Sequence, residues 1–407
     1  MTASRISRRT ALQITASGLA AAPWWRPALG AQGEPLPERA IGRPFPQGAS
    51  LPEEPPAKPG GESVGVAIIG LGGYALGQMM PAFSTAKNIH IAGLVSGNQE
   101  KAQRVARAYG VPEDAIYGYD NFADIASDDR IEAVYIILPS GLHADWAEKA
   151  FAAGKHVLCE KPMALNSAEC ERMIAAGRRA DRKLMIGYRC HFEPYNLRAM
   201  GLMREDVLGR LRTIRTAHTY RLGPTTPAEN WRVNRALAGG GPLEDYGIYG
   251  LQAALYLSGE MPEAISAIND TPPNDPRFSQ IFAHTASQLR FPSGAVAQLS
   301  TSYDAASENR VSVRGELGTL VMDPATSYRG NVMTLDTEEG SETLEPGDST
   351  VQFSRQLEHF AQAIRQGTDV KTPGEMGLRD VRLMEAIYRS AAEGRTVRLA
   401  PDGTMRG

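Results

Sequence analysis

The sequence predicts an α/β protein: an N-terminal Rossmann domain with a doubly wound parallel sheet, then an α+β domain with a large, open, mainly antiparallel sheet. Three observations carry this. The apolar run Val64-Gly-Val-Ala-Ile-Ile leads into Gly-Leu-Gly-Gly-Tyr-Ala, as a buried parallel strand opening onto a Gly-x-Gly-x-x-Ala turn would. Further apolar runs alternate with helical stretches up to about residue 186. Beyond residue 260 the pattern becomes one of alternating segments broken by turn residues, the mark of antiparallel strands.

In chain order, residues 1–31 read as a removable export signal of the twin-arginine type. Arg5, Arg8 and Arg9 come first, no acid precedes Glu34, and an apolar run from Ala11 to Ala22 leads to the small residues Ala28, Gly30 and Ala31. That run is interrupted by Gln13, Thr15, Ser17 and Gly18 and falls short of the roughly 20 apolar residues that span a bilayer. Removing it takes away Arg5, Arg8, Arg9 and Arg26 and no acid, so the remainder is more acidic than the whole chain at −3. Residues 32–61 hold Pro35, Pro37, Pro44, Pro46, Pro52, Pro55, Pro56 and Pro59. Proline lacks an amide donor and favours extended backbone, so this stretch is expected to be an arm laid on this subunit or a neighbour. Residues 62–186 are then the dinucleotide domain, 187–375 the substrate and oligomerisation domain, and 376–407 a helix and tail packing across both.

Composition excludes other classes. Hydrophobic residues at 42% and charged residues at 22% are those of an ordinary globular chain. A net charge of −3 gives no footprint for nucleic acid. Cys159, Cys170 and Cys190 are too few and too odd in number for a disulfide framework, and no Cys or His spacing suggests a metal site.

In the dinucleotide domain, Gly70 permits the tight turn, Gly72 lets the backbone approach a pyrophosphate and Ala75 keeps helix and strand close; Leu71, Gly73 and Tyr74 complete the turn, and a helix is expected from Ala75. The second strand, Ile89 to Val95, ends at Ser96, where an NAD-selective site would place a carboxylate; Lys101 and Arg104 follow in the next helix. Missing acid and present base favour NADP. Two further strands end at Pro139 and at Glu160-Lys161-Pro162. Ligands of such sheets bind beyond the carboxyl ends of the strands, so Pro139, His143, Glu160 and Lys161 are expected at the mouth.

At Glu160-Lys161-Pro162 the sequence resembles the glucose-fructose oxidoreductase, inositol dehydrogenase and rhizopine-catabolism family of nicotinamide enzymes. Further matching runs are Leu94–Asn98, Tyr135–Pro139, Lys183–His191 and Gly239–Leu251, and the resemblance covers about residues 62–398. It is nearest to the branch of exported sugar oxidoreductases. It implies two domains, sugar substrates, a homo-oligomer (dimer or tetramer) built on the open sheet, and Lys161 as the catalytic lysine.

Asp245 and Tyr249 are four residues apart in an expected helix and share a face. Relatives of the inositol-dehydrogenase kind carry histidine at the position of Tyr249, so tyrosine takes over the acid/base role. Its ordinary pKa near 10 requires a nearby cation, which Lys161 supplies. Asp245 is then a hydroxyl anchor that also keeps Lys161 charged. Tyr188 and Arg189 are expected at the nicotinamide or substrate pocket, and Trp231 and Arg232 on the sugar side.

Export sharpens the reading. A dehydrogenase outside the cytoplasm must keep its cofactor, and a route that carries folded protein lets NADP travel bound and non-dissociating. The expected activity is therefore ping-pong: an aldose such as glucose is oxidised to its lactone, then fructose or another aldose is reduced to an alditol such as sorbitol, in the periplasm. The expected partners are small sugars, the twin-arginine machinery and further copies of the chain, with no membrane after signal removal. An ordinary sugar dehydrogenase and an NAD(P)-dependent glycoside hydrolase are the alternatives.

Overall fold

The computed structural model describes residues 45–46, 50–57, 60 and 62–406; the expected signal at 1–31, including Arg8 and Arg9, lies outside them. The first sheet comprises β1 (Val64–Ile69), β2 (Ile89–Val95), β3 (Ile116–Tyr117), β4 (Ala133–Ile136), β5 (His156–Cys159) and β6 (Leu184–Ile186). They run in the order β3-β2-β1-β4-β5-β6, all parallel. Every residue of β1 is buried, as a strand covered by helices on both faces must be. The order reverses between β1 and β4, and this switch point opens the crevice in which such sheets bind ligands. The doubly wound sheet expected from the sequence is present.

The second sheet contains β7 (Leu211–Arg221), β8 (Ala264–Asp270), β9 (His284–Arg290), β10 (Val296–Ser302), β11 (Asp304–Gly315), β12 (Gly318–Met322), β13 (Met333–Thr337), β14 (Gly340–Leu344) and β15 (Val397–Arg398). Its order is β14-β13-β12-β11-β7-β10-β9-β8-β15. All pairs are antiparallel except β7 with β10. The turn Pro292-Ser293-Gly294 joins β9 to β10, with Gly294 at φ +87° and its amide donating to Phe291 O at 2.9 Å.

Helices fasten the two layers. The helix α1 (Gln99–Tyr109) is capped by Asn98, whose side chain accepts from the Lys101 amide at 2.8 Å, and ends at the left-handed Gly110. The helices α2 (His143–Ala152) and α3 (Ser167–Ala180) cover the other face. Helix α4 (Pro194–Arg204) follows β6, α5 (Ile248–Ser258) packs on β7, and α6 (Val351–Gln366) and α7 (Gly374–Glu393) close the chain. Helix α6 sends Phe353, Leu357, Phe360 and Ala361 into the same core as Val64, Ile68 and Leu94, and its Arg365 donates to Glu132 Oε1 at 2.6 Å. A helix late in the chain thus completes the first domain. The described part of the proline-rich segment also lies on that domain: Phe45 stands 4.4 Å from the Arg104 guanidinium, and Pro55 covers Gly110.

The glycine turn behaves as its sequence requires, with one correction. Gly70 has φ +93°, and a Cβ there would collide with the Ile137 carbonyl. Gly72 and Gly73 face open space, and Ala75 is fully buried against the sheet. The regular helix expected from Ala75 is instead a π-helical turn, Ala75–Met79, followed by the short stretch Met80–Ala82. Pro81 removes an amide donor there. Gly70→Ala is expected to lower unfolding free energy by at least about 1–3 kcal/mol, the penalty for a strained left-handed residue, and to weaken cofactor binding. A thermal melt and a cofactor titration check both.

Among the described residues, no helix is long and apolar enough to cross a membrane, and no cluster of three His, Cys, Asp or Glu side chains is placed to hold a metal ion. All three cysteines are buried free thiols.

Candidate active site

Four chain turns converge at the carboxyl ends of the first sheet. The turn after β5 supplies Glu160 and Lys161, the turn after β6 supplies Arg189, a π-helical turn Leu243–Gly247 supplies Asp245, and the first turn of α5 supplies Tyr249. The straight helix expected to carry both Asp245 and Tyr249 is thus a π-helical turn running into α5, an irregularity frequent at functional sites.

Asp245 is the electrostatic centre. Lys161 Nζ lies 3.6 Å from its Oδ1 and donates to its main-chain carbonyl. Arg232 Nε donates to Oδ2 at 3.2 Å, as do the hydroxyls of Tyr303 at 2.9 Å and Tyr220 at 3.3 Å. Burial pushes this carboxyl up, but the Arg232 and Lys161 cations and the Tyr303 hydroxyl outweigh it and hold the group down at about 2. Asp245 is therefore an anion at any physiological pH.

Tyr249 is enclosed by cations and rings. Lys161 Nζ stands 4.9 Å from its ring centroid, and Arg189 Nε donates to its hydroxyl at 3.2 Å. His218 stacks on it at 6.2 Å. Burial raises its pKa above the ordinary tyrosine value, with the Arg189 cation pulling the other way. Glu160 is buried beneath Gly187, where a Cβ would stand 2.7 Å from Glu160 Oε1. It accepts from the Tyr135 hydroxyl at 2.5 Å, and burial raises its pKa.

Other expected site residues have different positions. Both ring nitrogens of His143 lie 2.9 Å from main-chain carbonyls, those of Pro162 and Leu138. It therefore clamps the Pro139 turn to the Lys161 turn rather than pointing into the open cleft. Tyr188 is also displaced from the expected pocket. It is buried in the main core beside Asp380, Arg379 and Cys170, just beyond the end of β6. Arg232 reaches the site directly, whereas Trp231 lies under its guanidinium at 4.6 Å. Tyr220, Tyr303 and Tyr328 were not expected at the site. Tyr220 lies near the end of β7 and Tyr303 joins β10 to β11; Tyr328 belongs to the segment between β12 and β13 and lies 4.7 Å from Arg189.

The residues present fit a dinucleotide. The glycine turn leaves open space at Gly72 and Gly73 for a pyrophosphate, with Leu71 buried and Tyr74 beside it. At the end of β2, the Ser96 hydroxyl accepts from the Asn98 amide at 3.1 Å, and no carboxylate occupies that position. Lys101 and Arg104 follow on α1.

The model of the GFO/IDH/MocA oxidoreductase family, NAD-binding Rossmann fold, matches residues 64–188, and that of its C-terminal alpha/beta domain matches residues 201–399. The chain belongs to this family. It is 45% identical to the aldose-aldose oxidoreductase of Caulobacter crescentus, solved in complex with glycerol, with a TM-score of 0.80 over 83% of this chain and 100% of that one. It is 32% identical to a D-xylose 1-dehydrogenase [NADP(+)] of Haloarcula marismortui over 82% of this chain and 92% of the relative. KijD10, a 3-ketoreductase of Actinomadura kijaniata solved with NADP and TDP-benzene, is 25% identical with a TM-score of 0.71 over 81% of this chain and 98% of that one. Family membership makes the converging turns of this GFO/IDH/MocA protein the candidate catalytic centre.

Proposed function

We propose that this protein is an exported sugar oxidoreductase that retains NADP(H) and works by a ping-pong cycle: an aldose is oxidised to its lactone and a second sugar, fructose or another aldose, is reduced to an alditol. The observation that carries the reading is the arrangement of Lys161, Asp245 and Tyr249 beside the open glycine turn. The 45% identity to an aldose-aldose oxidoreductase supports the substrate class. Ser96 without a carboxylate, and Lys101 and Arg104 after it, support NADP.

A bound nicotinamide supplies the hydride acceptor of the first half-reaction and the donor of the second. Tyr249 Oη takes the proton of the sugar hydroxyl as the carbonyl forms, and returns a proton to the carbonyl oxygen in the reductive half. Lys161 places a positive charge beside that oxygen, and Asp245 anchors Lys161 by an ion pair while accepting from a neighbouring sugar hydroxyl. Arg232, packed on Trp231, borders the sugar side.

The basic, apolar and small-residue order of residues 1–31 supports twin-arginine export to the periplasm. Export gives a reason for a cofactor that does not leave. The open outer face of the second sheet, with Ile268 70% exposed on β8, supports a homo-oligomer.

The test needs the purified protein without added cofactor. Aldose alone is expected to raise the absorbance of reduced nicotinamide once, and fructose or a second aldose to discharge it. A protein that loses all cofactor on gel filtration and turns over only with added NADP would instead be an ordinary dehydrogenase. The likeness to the Haloarcula D-xylose dehydrogenase favours that second reading.

A further inference from the structure

We infer that Arg189, rather than Lys161, sets the proton affinity of Tyr249 and aims its hydroxyl into the cleft, acting as a positioning residue for proton transfer. This rests on the reading of Tyr249 as the acid/base. The guanidinium is only 2% exposed. Its donors go to Tyr249 Oη at 3.2 Å, to Gln352 Oε1 at 2.6 Å and to the carbonyls of Thr326 at 2.5 Å and Ser327 at 3.5 Å. Every one of these acceptors is neutral, and among the described residues no carboxylate is ion-paired with Arg189.

Counting charges separates the two cations. Asp245, held low by its neighbouring cations, already serves Lys161 and Arg232. Lys161 stands over the ring of Tyr249, not at its oxygen, and directs its proton to the Asp245 carbonyl. Arg189 is ion-paired with no carboxylate among the described residues, and its Nε–H reaches the phenolic oxygen directly. A buried cation without a counter-ion favours an anion at its hydrogen-bond acceptor, and here that acceptor is the group that must lose a proton. By occupying one lone pair of Oη, the Nε–H also leaves the hydroxyl proton to point elsewhere.

The other titratable groups facing Tyr249 come from several elements. From the turn after β6, burial pushes the Cys190 thiol up to about 11. From β7, burial first and Arg189 second hold His218 down at about 3, so it is neutral. Glu160, from the turn after β5, is raised by burial and bonded to Tyr135. Tyr246 from the preceding turn, Tyr74 from the glycine turn and Tyr328 are all raised by burial, Tyr328 to about 12. Lys161 completes the set.

The sign follows. Oxidation needs Tyr249 deprotonated, so its rate rises with pH through the Tyr249 pKa; removing Arg189 raises that pKa and moves the limb to higher pH. In Arg189→Gln the acid limb of the oxidative half-reaction is expected to move up by about one unit or more, lowering the rate on that limb about tenfold at fixed pH, while the alkaline fall of the reductive half-reaction moves up with it. Arg189→Lys keeps the charge and is expected to restore most of the shift. Gln352→Glu gives the guanidinium a carboxylate without removing it and is expected to displace the limb in the same direction. A near-ultraviolet tyrosinate titration, wild type minus Tyr249→Phe, and the same difference in the Arg189→Gln background, reads the shift without turnover. If Arg189→Gln or Gln352→Glu folds and leaves both limb and titration unchanged, while Tyr249→Phe abolishes turnover, Arg189 has no such role. If Tyr249→Phe keeps its turnover and its limb, the acid/base reading itself is wrong.

Discussion

Tyr249→Phe is expected to lower turnover in both half-reactions by about two to four orders of magnitude, the range lost when a positioned acid/base is removed, while leaving melting temperature and cofactor content near those of the wild type. The ring has its own supports. It stacks on His218 at 6.2 Å, meets Tyr246 edge-on at 6.1 Å, and has Lys161 over it at 4.9 Å. Phenylalanine keeps those contacts and removes one oxygen. Arg189 loses an acceptor but retains Gln352 and the Thr326 carbonyl, so the loss of packing energy is small beside the loss of proton transfer. Single-turnover traces with saturating aldose, together with a thermal melt, check the pair of outcomes. A variant within tenfold of wild type would reassign the proton to another group, and Lys161, whose Nζ stands over the Tyr249 ring and 3.6 Å from Asp245 Oδ1, would be the one to examine.

Much of this architecture is legible in the sequence because its signals are local. A fully buried strand followed by a glycine turn reads directly from Val64 to Ala75; β5 ends at Cys159, just before Glu160, whereas β4 ends at Ile136, three residues short of Pro139. The alternating segments of β8 to β12 are equally plain. Strand β7 is not: Leu211–Arg221 interleaves three arginines, three threonines and a histidine with only a few apolar residues, yet it lies at the centre of the second sheet. Its outward arginines hide the period. Side-chain direction after β6 was also beyond the pattern, since consecutive Tyr188 and Arg189 diverge, one into the core and one into the cleft. The three tyrosines Tyr220, Tyr303 and Tyr328 reach the site across long sequence separations, which no spacing rule captures.

Asp245→Ala is expected to carry the largest stability loss of any change in the site, about 3 kcal/mol at neutral pH, the lower end of the range for removing one member of a buried ion pair, because this pair is only partly buried. The variant leaves Lys161 and Arg232 facing each other without their shared anion and deprives the Tyr220 and Tyr303 hydroxyls of their acceptor. Asp245→Asn keeps an acceptor oxygen but not the charge, so its loss should be smaller, and the difference between the two variants isolates the hydroxyl bonds. The ionised carboxyl also imposes a pH dependence. Its folded pKa of about 2 is below the ordinary 3.8, so its stabilisation is fully present above about pH 4 and is lost as pH falls toward 2, amounting to about 2 kcal/mol. The gap between wild type and Asp245→Ala should therefore be constant from neutral pH down to about 4 and narrow below it. Urea unfolding midpoints at neutral pH and along an acid series measure this. Equal stability of the two proteins at neutral pH would mean that the cations are held apart by the fold alone, and Asp245 would then have no part in holding Lys161 in place.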